Sequence, residues 1–170
     1  MKTLRIGLLG LGQVGTGFVQ ILKSKRKFFM DETGQHLELV KIAVKNKRKA
    51  RKVKINPALL TTKALDVVHD PSIDVVVELM GGTKQARVLV REALRSGKHV
   101  VTANKALIAE HGDELFEIAN RTRRWLLLEA AVGGGIPVMK ALREGLVANR
   151  IESIHSIING TSNYILTRMS

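Results

Sequence analysis

Cysteine is absent from the 170-residue sequence, and proline (3 residues) and aromatic residues (4%) are scarce. Without cysteine the chain has no disulfide, no thiolate nucleophile and no thiolate metal ligand, which is consistent with a reducing cytoplasm. No apolar run approaches the length that crosses a bilayer, so we expect no membrane partner. The first residues enter a predicted strand directly, and we therefore expect no cleaved signal peptide and a cytoplasmic protein.

Acidic residues are also few, and the formal net charge is +13. Much of the excess lies in residues 45–54, where seven of ten are Lys or Arg and none is acidic. Such a run usually marks a solvated loop or helix face. It contains no aromatic residue on which bases could stack, so we expect a small anion as partner and no nucleic acid.

Apolar runs alternate with segments of helical spacing along most of the chain. The predicted strands cover residues 4–9, 37–44, 74–79, 99–101 and 125–128. Strands that are apolar on both faces and separated by helices predict a parallel sheet covered on both sides. The predicted fold class is therefore α/β, with a doubly wound Rossmann-type sheet.

Local signals predict where several segments begin and end. Residues 28–35, which include Asp31 and Gly34, are predicted to form a loop. Thr83 is predicted to cap a helix that Gly97 ends. The predicted packing faces carry Val14, Phe18, Ile21 and Leu22 on the first helix, and Ala86, Leu89, Val90 and Ala93 on the helix after Thr83.

The last part of the chain has a different pattern. We expect residues 1–150 to form a dinucleotide-binding domain, ending in a helix that follows residues 133–135 and runs through Leu146. Residues 151–170 are expected to begin a second, α+β domain, with a strand over 151–158, a turn at Asn159-Gly160 and then a helix. The chain is expected to be cut inside that second domain.

A glycine-rich turn between the first strand and the first helix is the most informative motif. It comprises Gly10, Leu11, Gly12, Gln13, Val14 and Gly15. In a dinucleotide site Gly10 permits the tight turn, Gly12 lets the backbone approach a pyrophosphate, and Gly15 lets the helix pack against the strand. The helix N-terminus then favours the phosphate charge. The alternative is a turn that only closes a βα unit.

The end of the second strand bears on the choice of cofactor. An acid there hydrogen-bonds the ribose 2′-hydroxyl of NAD, but this chain has Val44-Lys45. A cation suits a 2′-phosphate, so we expect NADP, with NAD possible. Two alternatives remain: Lys45 belongs to a solvated loop, or the basic side chains themselves occupy the 2′-phosphate site and weaken NADP binding.

Five motifs occur in an order that resembles the N-terminal half of homoserine dehydrogenase. They are residues 10–15, Glu78-Leu79-Met80-Gly81-Gly82, Ala103-Asn104-Lys105-Ala106-Leu107, residues 129–137 and residues 159–166. The resemblance implies NAD(P)-dependent interconversion of L-homoserine and L-aspartate 4-semialdehyde in threonine and methionine biosynthesis, and we expect a homo-oligomer. The family's substrate-binding acids and proton-donating lysine lie beyond the last residue, so the 170-residue chain is expected to be poorly active.

Two other functions remain open. The chain could be a non-catalytic NADP-binding module that needs a partner chain, or a nicotinamide enzyme of related architecture such as an L-aspartate dehydrogenase. The motif at residues 159–166 argues against the second of these.

Further site residues follow from the same resemblance. Gly81 and Gly82 end a strand at the edge where open α/β sheets bind ligands, although they could simply form a turn before a helix. Lys105 is implied to be a catalytic and cofactor-contacting residue near the nicotinamide and the substrate. Its alternative is a surface lysine near a helix start.

A monovalent cation site, with sodium as the expected ion, is also implied by the resemblance. Its ligands would be Glu129 and the backbone oxygens of Val132, Gly134 and Ile136, an oxygen set that hard cations prefer. The alternative is a buried glutamate that is hydrogen-bonded to backbone amides.

Overall fold

The computed structural model describes residues 2–155 and 160–169, and a parallel six-stranded sheet lies at its centre. The sheet order is β3-β2-β1-β4-β5-β6. The strands are β1 (Lys2–Leu9), β2 (Gln35–Ala43), β3 (Leu60–Thr61), β4 (Val75–Glu78), β5 (His99–Thr102) and β6 (Leu126–Leu127). Every pair is parallel, so all carboxyl ends meet at one edge, and the order reverses beside β1.

Helices connect the strands. They are α1 (Gln13–Ser24), α2 (Arg26–Thr33), α3 (Leu65–Val68), α4 (Lys84–Arg95), α5 (Lys105–Thr122), α6 (Glu129–Val132), α7 (Val138–Lys140) and α8 (Gly160–Met169). A 3-10 turn covers Pro57–Leu59, and a π-helical turn over Ala141–Gly145 continues α7. Among the described residues no helix is both long and apolar enough to cross a membrane.

Side chains of β1 alternate between two hydrophobic clusters, one on each face of the sheet. Ile6 and Leu8 join the cluster that contains Val19 of α1. Leu9 joins the other cluster, which contains Val68 of α3 and most of the buried residues of α4 and α5. Helices therefore cover both faces, and the predicted doubly wound α/β fold is confirmed.

Strand β2 contains one residue that has no pairing partner in β1. Ile6 pairs with Leu39 but Gly7 pairs with Lys41, so Val40 is a bulge. Leu39 and Ile42 both pack on the α1 face, while Val40 packs against the opposite cluster. The bulge thus shifts the alternation by one residue, so Ile42 and not Lys41 lies on the α1 face near the carboxyl edge.

The packing face predicted for the helix after Thr83 is confirmed, since its four apolar residues are buried. Thr83 occupies the N-cap position of α4, but its side chain makes no capping hydrogen bond because its own backbone is already helical (φ −107°, ψ −42°). The prediction for α1 is wrong in part: Val14 and Ile21 are 61% and 52% exposed. Gly15 and Val19 are the buried residues of this helix, because the glycine brings the backbone itself against the strand.

The loop predicted over residues 28–35 is wrong, because α2 occupies Arg26–Thr33. Gly34 adopts the left-handed conformation (φ 66°), and its N–H donates to the Met30 carbonyl. The turn signal therefore marked the end of a helix. The short elements β3 and α3 were not predicted, and residues 44–56 have no regular secondary structure.

The predicted strand over residues 151–158 is not formed at residues 151–155, which have no regular structure. The rest of that segment and Asn159 lie outside the described residues. Helix α8 confirms the predicted final helix. The helix predicted to run through Leu146 begins at Val138 and has a π-helical second half.

Candidate functional site

A cavity of about 300 Å³ opens at the carboxyl edge of the sheet, where the strand order reverses beside β1. Three chain segments form most of its wall: the glycine turn, the residues after β2 and the residues after β4. The lining residues are Gly10, Leu11, Gly12, Ala43, Val44, Lys45, Asn46, Lys49, Arg51, Thr62, Ala64, Leu79, Met80, Gly81 and Gln85. This is the crevice in which open α/β sheets bind their ligands.

The glycine turn separates glycines that the fold requires from one that it does not. Gly10 has φ 97°, and a Cβ there would lie 2.6 Å from the Leu79 carbonyl oxygen. A Cβ at Gly15 would overlap the Gly10 carbonyl oxygen. A Cβ at Gly12 would meet no described protein atom within 4 Å, yet Gly12 lines the cavity. Gly12 therefore leaves open space on the cavity side of the turn.

Gly12 is also the N-cap residue of α1. It offers no side-chain acceptor to the first N–H groups of the helix, and no acidic residue lies in the first turn. These donors and the positive end of the helix dipole favour an anion at this end of the cavity.

The wall that follows β2 is basic. Val44, Lys45, Lys49 and Arg51 all line the cavity, so the structure places the two predicted residues, Val44 and Lys45, where they were expected. Lys49 and Arg51 have no signature of their own in the sequence, because both belong to a run in which most residues are cations.

Arg51 organises the loop that carries these cations. Its guanidinium donates to the carbonyl oxygens of Asn46 (2.6 Å), Lys47 (3.0 Å) and Lys49 (2.8 Å). Its Nε is buried and has no hydrogen-bond partner in the part of the chain that the structure describes. The loop is thus folded around one side chain.

The wall that follows β4 rests on a buried acid. Glu78 is fully buried, and its carboxylate accepts hydrogen bonds from the Met80 N–H (2.7 Å) and the Thr102 hydroxyl (2.5 Å). Burial raises the pKa of Glu78, and the hydrogen bonds from Thr102, Met80 and Asn104 oppose that rise. The sequence signal was a polar residue at the end of an apolar strand.

Asn104 connects this wall to the start of α5. Its backbone N–H donates to the Thr102 hydroxyl oxygen (3.0 Å), and its side-chain Nδ2 donates to the Gly82 carbonyl (2.8 Å). Its Oδ1 accepts from the Leu107 N–H (3.1 Å) and so caps α5. The loops that follow β4 and β5 are therefore joined through side chains.

Of the other predicted residues near the wall after β4, one lines the cavity and two lie beside it. Gly81 lines the cavity, whereas Gly82 (φ 80°) lies outside the lining set and accepts the Asn104 hydrogen bond. Lys105 is the first residue of α5, is exposed and does not line the cavity. The structure thus places Lys105 beside the site and not in its wall.

Glu129 lies in a separate segment and is half-buried. Its two carboxylate oxygens accept from the backbone N–H groups of Met139 (3.0 Å) and Lys140 (2.9 Å), the arrangement of the alternative given above. The Ile136 carbonyl accepts from the Val138 N–H (2.9 Å). Within residues 2–155 and 160–169 no cluster of three or more His, Cys, Asp or Glu side chains is placed to hold a metal.

Comparison with known proteins identifies the family. The model of the NAD-binding domain of homoserine dehydrogenase matches residues 10–129, and a second homoserine dehydrogenase model matches residues 137–170. The chain belongs to the homoserine dehydrogenase family. The resemblance drawn from its motifs is confirmed.

Relatives of known name agree with this assignment. The chain is 49% identical to the homoserine dehydrogenase of Synechocystis sp. and 45% identical to that of Bacillus subtilis, over 99% of its own length. The crystal structure of a homoserine dehydrogenase from Thiobacillus denitrificans superposes with a TM-score of 0.89 at 50% identity, and the match covers 99% of this chain and 39% of that one. The chain spans 38% and 39% of the first two homoserine dehydrogenases.

Proposed function

We propose that this chain binds an NAD(P) dinucleotide and forms the nucleotide-binding part of an enzyme that interconverts L-homoserine and L-aspartate 4-semialdehyde. The observation that carries the proposal is Gly12, whose missing side chain opens into the cavity while the neighbouring glycines are required by the fold. Gly34, which ends α2, also has open space around its missing Cβ, but unlike Gly12 it does not line the cavity. Membership of the homoserine dehydrogenase family supplies the substrate.

The position of each half of the dinucleotide follows from the sheet. The pyrophosphate would lie at Gly12 and the first N–H groups of α1. The adenosine half would extend toward the end of β2, and the nicotinamide half toward the ends of β4 and β5, because the ligand crosses the crevice beside β1. When bound, the cofactor supplies the hydride chemistry. The chain supplies orientation and an anion-binding backbone.

NADP is the proposed natural cofactor. Lys45 stands where an NAD-specific acid would be, and Lys49 and Arg51 line the same cavity. Charge-assisted hydrogen bonds to a 2′-phosphate are stronger than neutral ones. If the basic side chains instead fill the phosphate position, removal of Lys45 would strengthen NADP binding.

Lys105 is proposed to act on the substrate. It is exposed and follows Asn104, which is fixed to the Gly82 carbonyl beside the cavity wall. From this position its ammonium could polarise the substrate carbonyl or bind a substrate carboxylate. Lys105→Met should then reduce kcat/KM for homoserine in a full-length homologue without weakening NADPH binding by the isolated chain.

Sodium at Glu129 remains part of the proposal. The carboxylate retains lone pairs beyond its two amide hydrogen bonds, and the carbonyls of Val132 and Gly134 lie in the same short segment. The donors are oxygens, as a hard cation requires. Thermal unfolding in sodium and in tetramethylammonium chloride at equal ionic strength tests it, because only sodium should raise the Tm.

We also propose a second domain, a cytoplasmic location and a homo-oligomeric assembly. A separate family model matches residues 137–170, which supports a second domain in the last part of the chain. The absence of cysteine supports a cytoplasmic location. Tyr164, Ile165 and Leu166 are all more than half exposed on α8, which supports burial of this surface in a homo-oligomer.

Calorimetric titration of the chain with NADPH and NADH, followed by a steady-state assay with homoserine, tests the proposal. We expect both cofactors to bind, NADPH more tightly, and turnover to be orders of magnitude below that of a full-length relative, since positioning and acid–base groups are incomplete. If neither NADPH nor NADH binds, the proposed nucleotide site is wrong. Efficient turnover by the monomeric chain would show that no further domain is needed.

A further inference from the structure

Three polar side chains at the carboxyl edge of the sheet form a continuous hydrogen-bonded unit, which we call the Glu78 clamp: Glu78, Thr102 and Asn104. It begins in β4, passes through the last residue of β5 and ends on the Gly82 carbonyl in the loop after β4. A second contact, from the Met80 N–H to Glu78, ties the same loop back to the strand. The clamp thus holds the loop at two points, one on each side of Gly81.

The chemistry of the clamp is costly for a purely structural element. A fully buried carboxylate is expensive unless it is paired, and no ion pair found within the described residues includes Glu78. An apolar residue would fill the same space without the desolvation cost of a carboxylate. What the carboxylate adds is the placement of two donors, the Met80 amide and the Thr102 hydroxyl.

We propose that the Glu78 clamp is a positioning device for the nicotinamide half of the cofactor. This inference rests on the proposed function, which directs that half toward the ends of β4 and β5. The clamp holds Gly81 in the cavity wall and fixes the start of α5, where Lys105 is exposed, against the same loop. Glu78 is itself fully buried, so it positions other groups and does not touch the ligand.

Two variants break the clamp in different places. Thr102→Val preserves the shape of the side chain but removes the hydroxyl that joins Glu78 to Asn104. Asn104→Ser keeps a hydroxyl that can cap α5 but is too short to reach the Gly82 carbonyl. Thr122→Val is the matched control, because its hydroxyl donates to the Ile118 and Ala119 carbonyls at the far end of α5.

The ligands separate the two halves of the site. NADPH requires both halves, whereas 2′,5′-ADP contains only the adenosine half. With calorimetry on the 170-residue chain we expect both clamp variants to bind NADPH about tenfold more weakly, equivalent to about 1.4 kcal/mol. Their affinity for 2′,5′-ADP should stay within about twofold, and Thr122→Val should bind both ligands normally.

A measurement without ligand examines the clamp directly. Hydrogen exchange of residues 79–83 should accelerate in Thr102→Val and Asn104→Ser but not in Thr122→Val. Glu78→Gln, which keeps an acceptor for the Met80 N–H and a polar partner for Thr102, should retain most of the NADPH affinity.

The possible results are distinct. Unchanged NADPH binding in folded clamp variants would overturn the inference, and so would equal losses of NADPH and 2′,5′-ADP, which would indicate a general scaffold role. Failure of the unmodified chain to bind either ligand would overturn the proposed nucleotide site, and the positioning role with it.

Discussion

The wall of the cavity after β2 and the wall after β4 differ in how charge is used. After β2, exposed cations lie on an irregular loop that is folded around the guanidinium of Arg51. After β4, one buried carboxylate fixes backbone and hydroxyl donors and exposes no charge to the cavity. The first wall is suited to attract a charged group, with a strength that salt and single substitutions can tune. The second is suited to hold a neutral group in one orientation.

Gly12→Val should have the largest effect on cofactor affinity, because the glycine turn is proposed to bind the pyrophosphate that joins the two halves of the cofactor. A branched side chain in the open space at Gly12 would occupy the pyrophosphate position. We expect affinity for both NADPH and NADH to fall by about 100-fold or more, equivalent to about 2.7 kcal/mol. Calorimetry on each cofactor measures the loss.

Gly17→Val provides the control for that substitution. Gly17 lies inside α1 and does not line the cavity, and no described atom beyond its own stretch of helix lies within 4 Å of its missing Cβ. The Gly17→Val variant should bind NADPH and NADH as the unmodified chain does. Normal binding by folded Gly12→Val would place the pyrophosphate elsewhere.

Lys45→Asp should affect one wall only. Attraction for the 2′-phosphate becomes repulsion, so we expect NADPH affinity to fall by about 10- to 100-fold and NADH affinity to change little. The preference of the unmodified chain for NADPH should also shrink with added salt, because exposed charges are screened.

Lys47→Asp is the matched control, since Lys47 lies in the same basic run but does not line the cavity. An equal loss of both cofactors in Lys45→Asp would contradict a specific contact with the 2′-phosphate. A gain in NADPH affinity would instead establish that the basic loop blocks the phosphate position.

Arg51→Lys separates the charge of the basic loop from its shape. Lysine keeps the charge but cannot bind three carbonyl groups with a planar fork. NADPH affinity should fall by about three- to tenfold, with little change for NADH. Arg48→Lys is the control, because Arg48 does not line the cavity, and it should not change NADPH affinity. If the two variants bind NADPH equally well, Arg51 does not organise the loop.

Glu78→Gln should have the smallest effect, which is a change in how the free energy of unfolding depends on pH. Because the folded state raises the pKa of Glu78, it retains this proton more strongly than the unfolded state. The resulting stability is present at low pH and is lost as pH rises through the raised pKa. Urea unfolding between pH 4 and 8 should show this decline in the unmodified chain and a smaller one in Glu78→Gln.

Asp70 offers a control of opposite sign. Hydrogen bonds from Lys41 and Ser72 lower the pKa of Asp70 from 3.8 to about 2. Its contribution to the free energy of unfolding is therefore present above the ordinary pKa and lost as pH falls toward 2. Asp70→Asn should flatten that acid limb and leave the decline above pH 4 unchanged.

The sequence predicted the fold because the fold depends on local periodicity and on glycine. At Gly10 and Gly15 a Cβ would meet backbone atoms, as expected of a tight turn and a closely packed helix, whereas the contact of Gly12 with a pyrophosphate stays a prediction. The same local signals led to the wrong loop over residues 28–35. A glycine marks a change of backbone direction and does not say whether a helix precedes it.

The features that distinguish the two walls depend on contacts between residues far apart, and these were not predicted. Glu78 and Thr102 are 24 residues apart, and only parallel pairing of β4 and β5 places them opposite each other. Arg51 differs from its basic neighbours only in the carbonyl groups that surround it. Neither feature has a periodic or compositional signature.

The bulge at Val40 has a consequence for how members of this family can change in length. Residues 41–43 pair with β1 as they would in a strand without Val40, so Leu8 faces Ile42 and Leu9 faces Ala43. Deletion of that one residue would leave Lys45 beside the cavity, whereas a deletion after Ile42 would exchange the two faces of the strand end. A one-residue change at the bulge, unlike one elsewhere in the paired strand, would therefore leave the cavity-lining end of β2 in the same register.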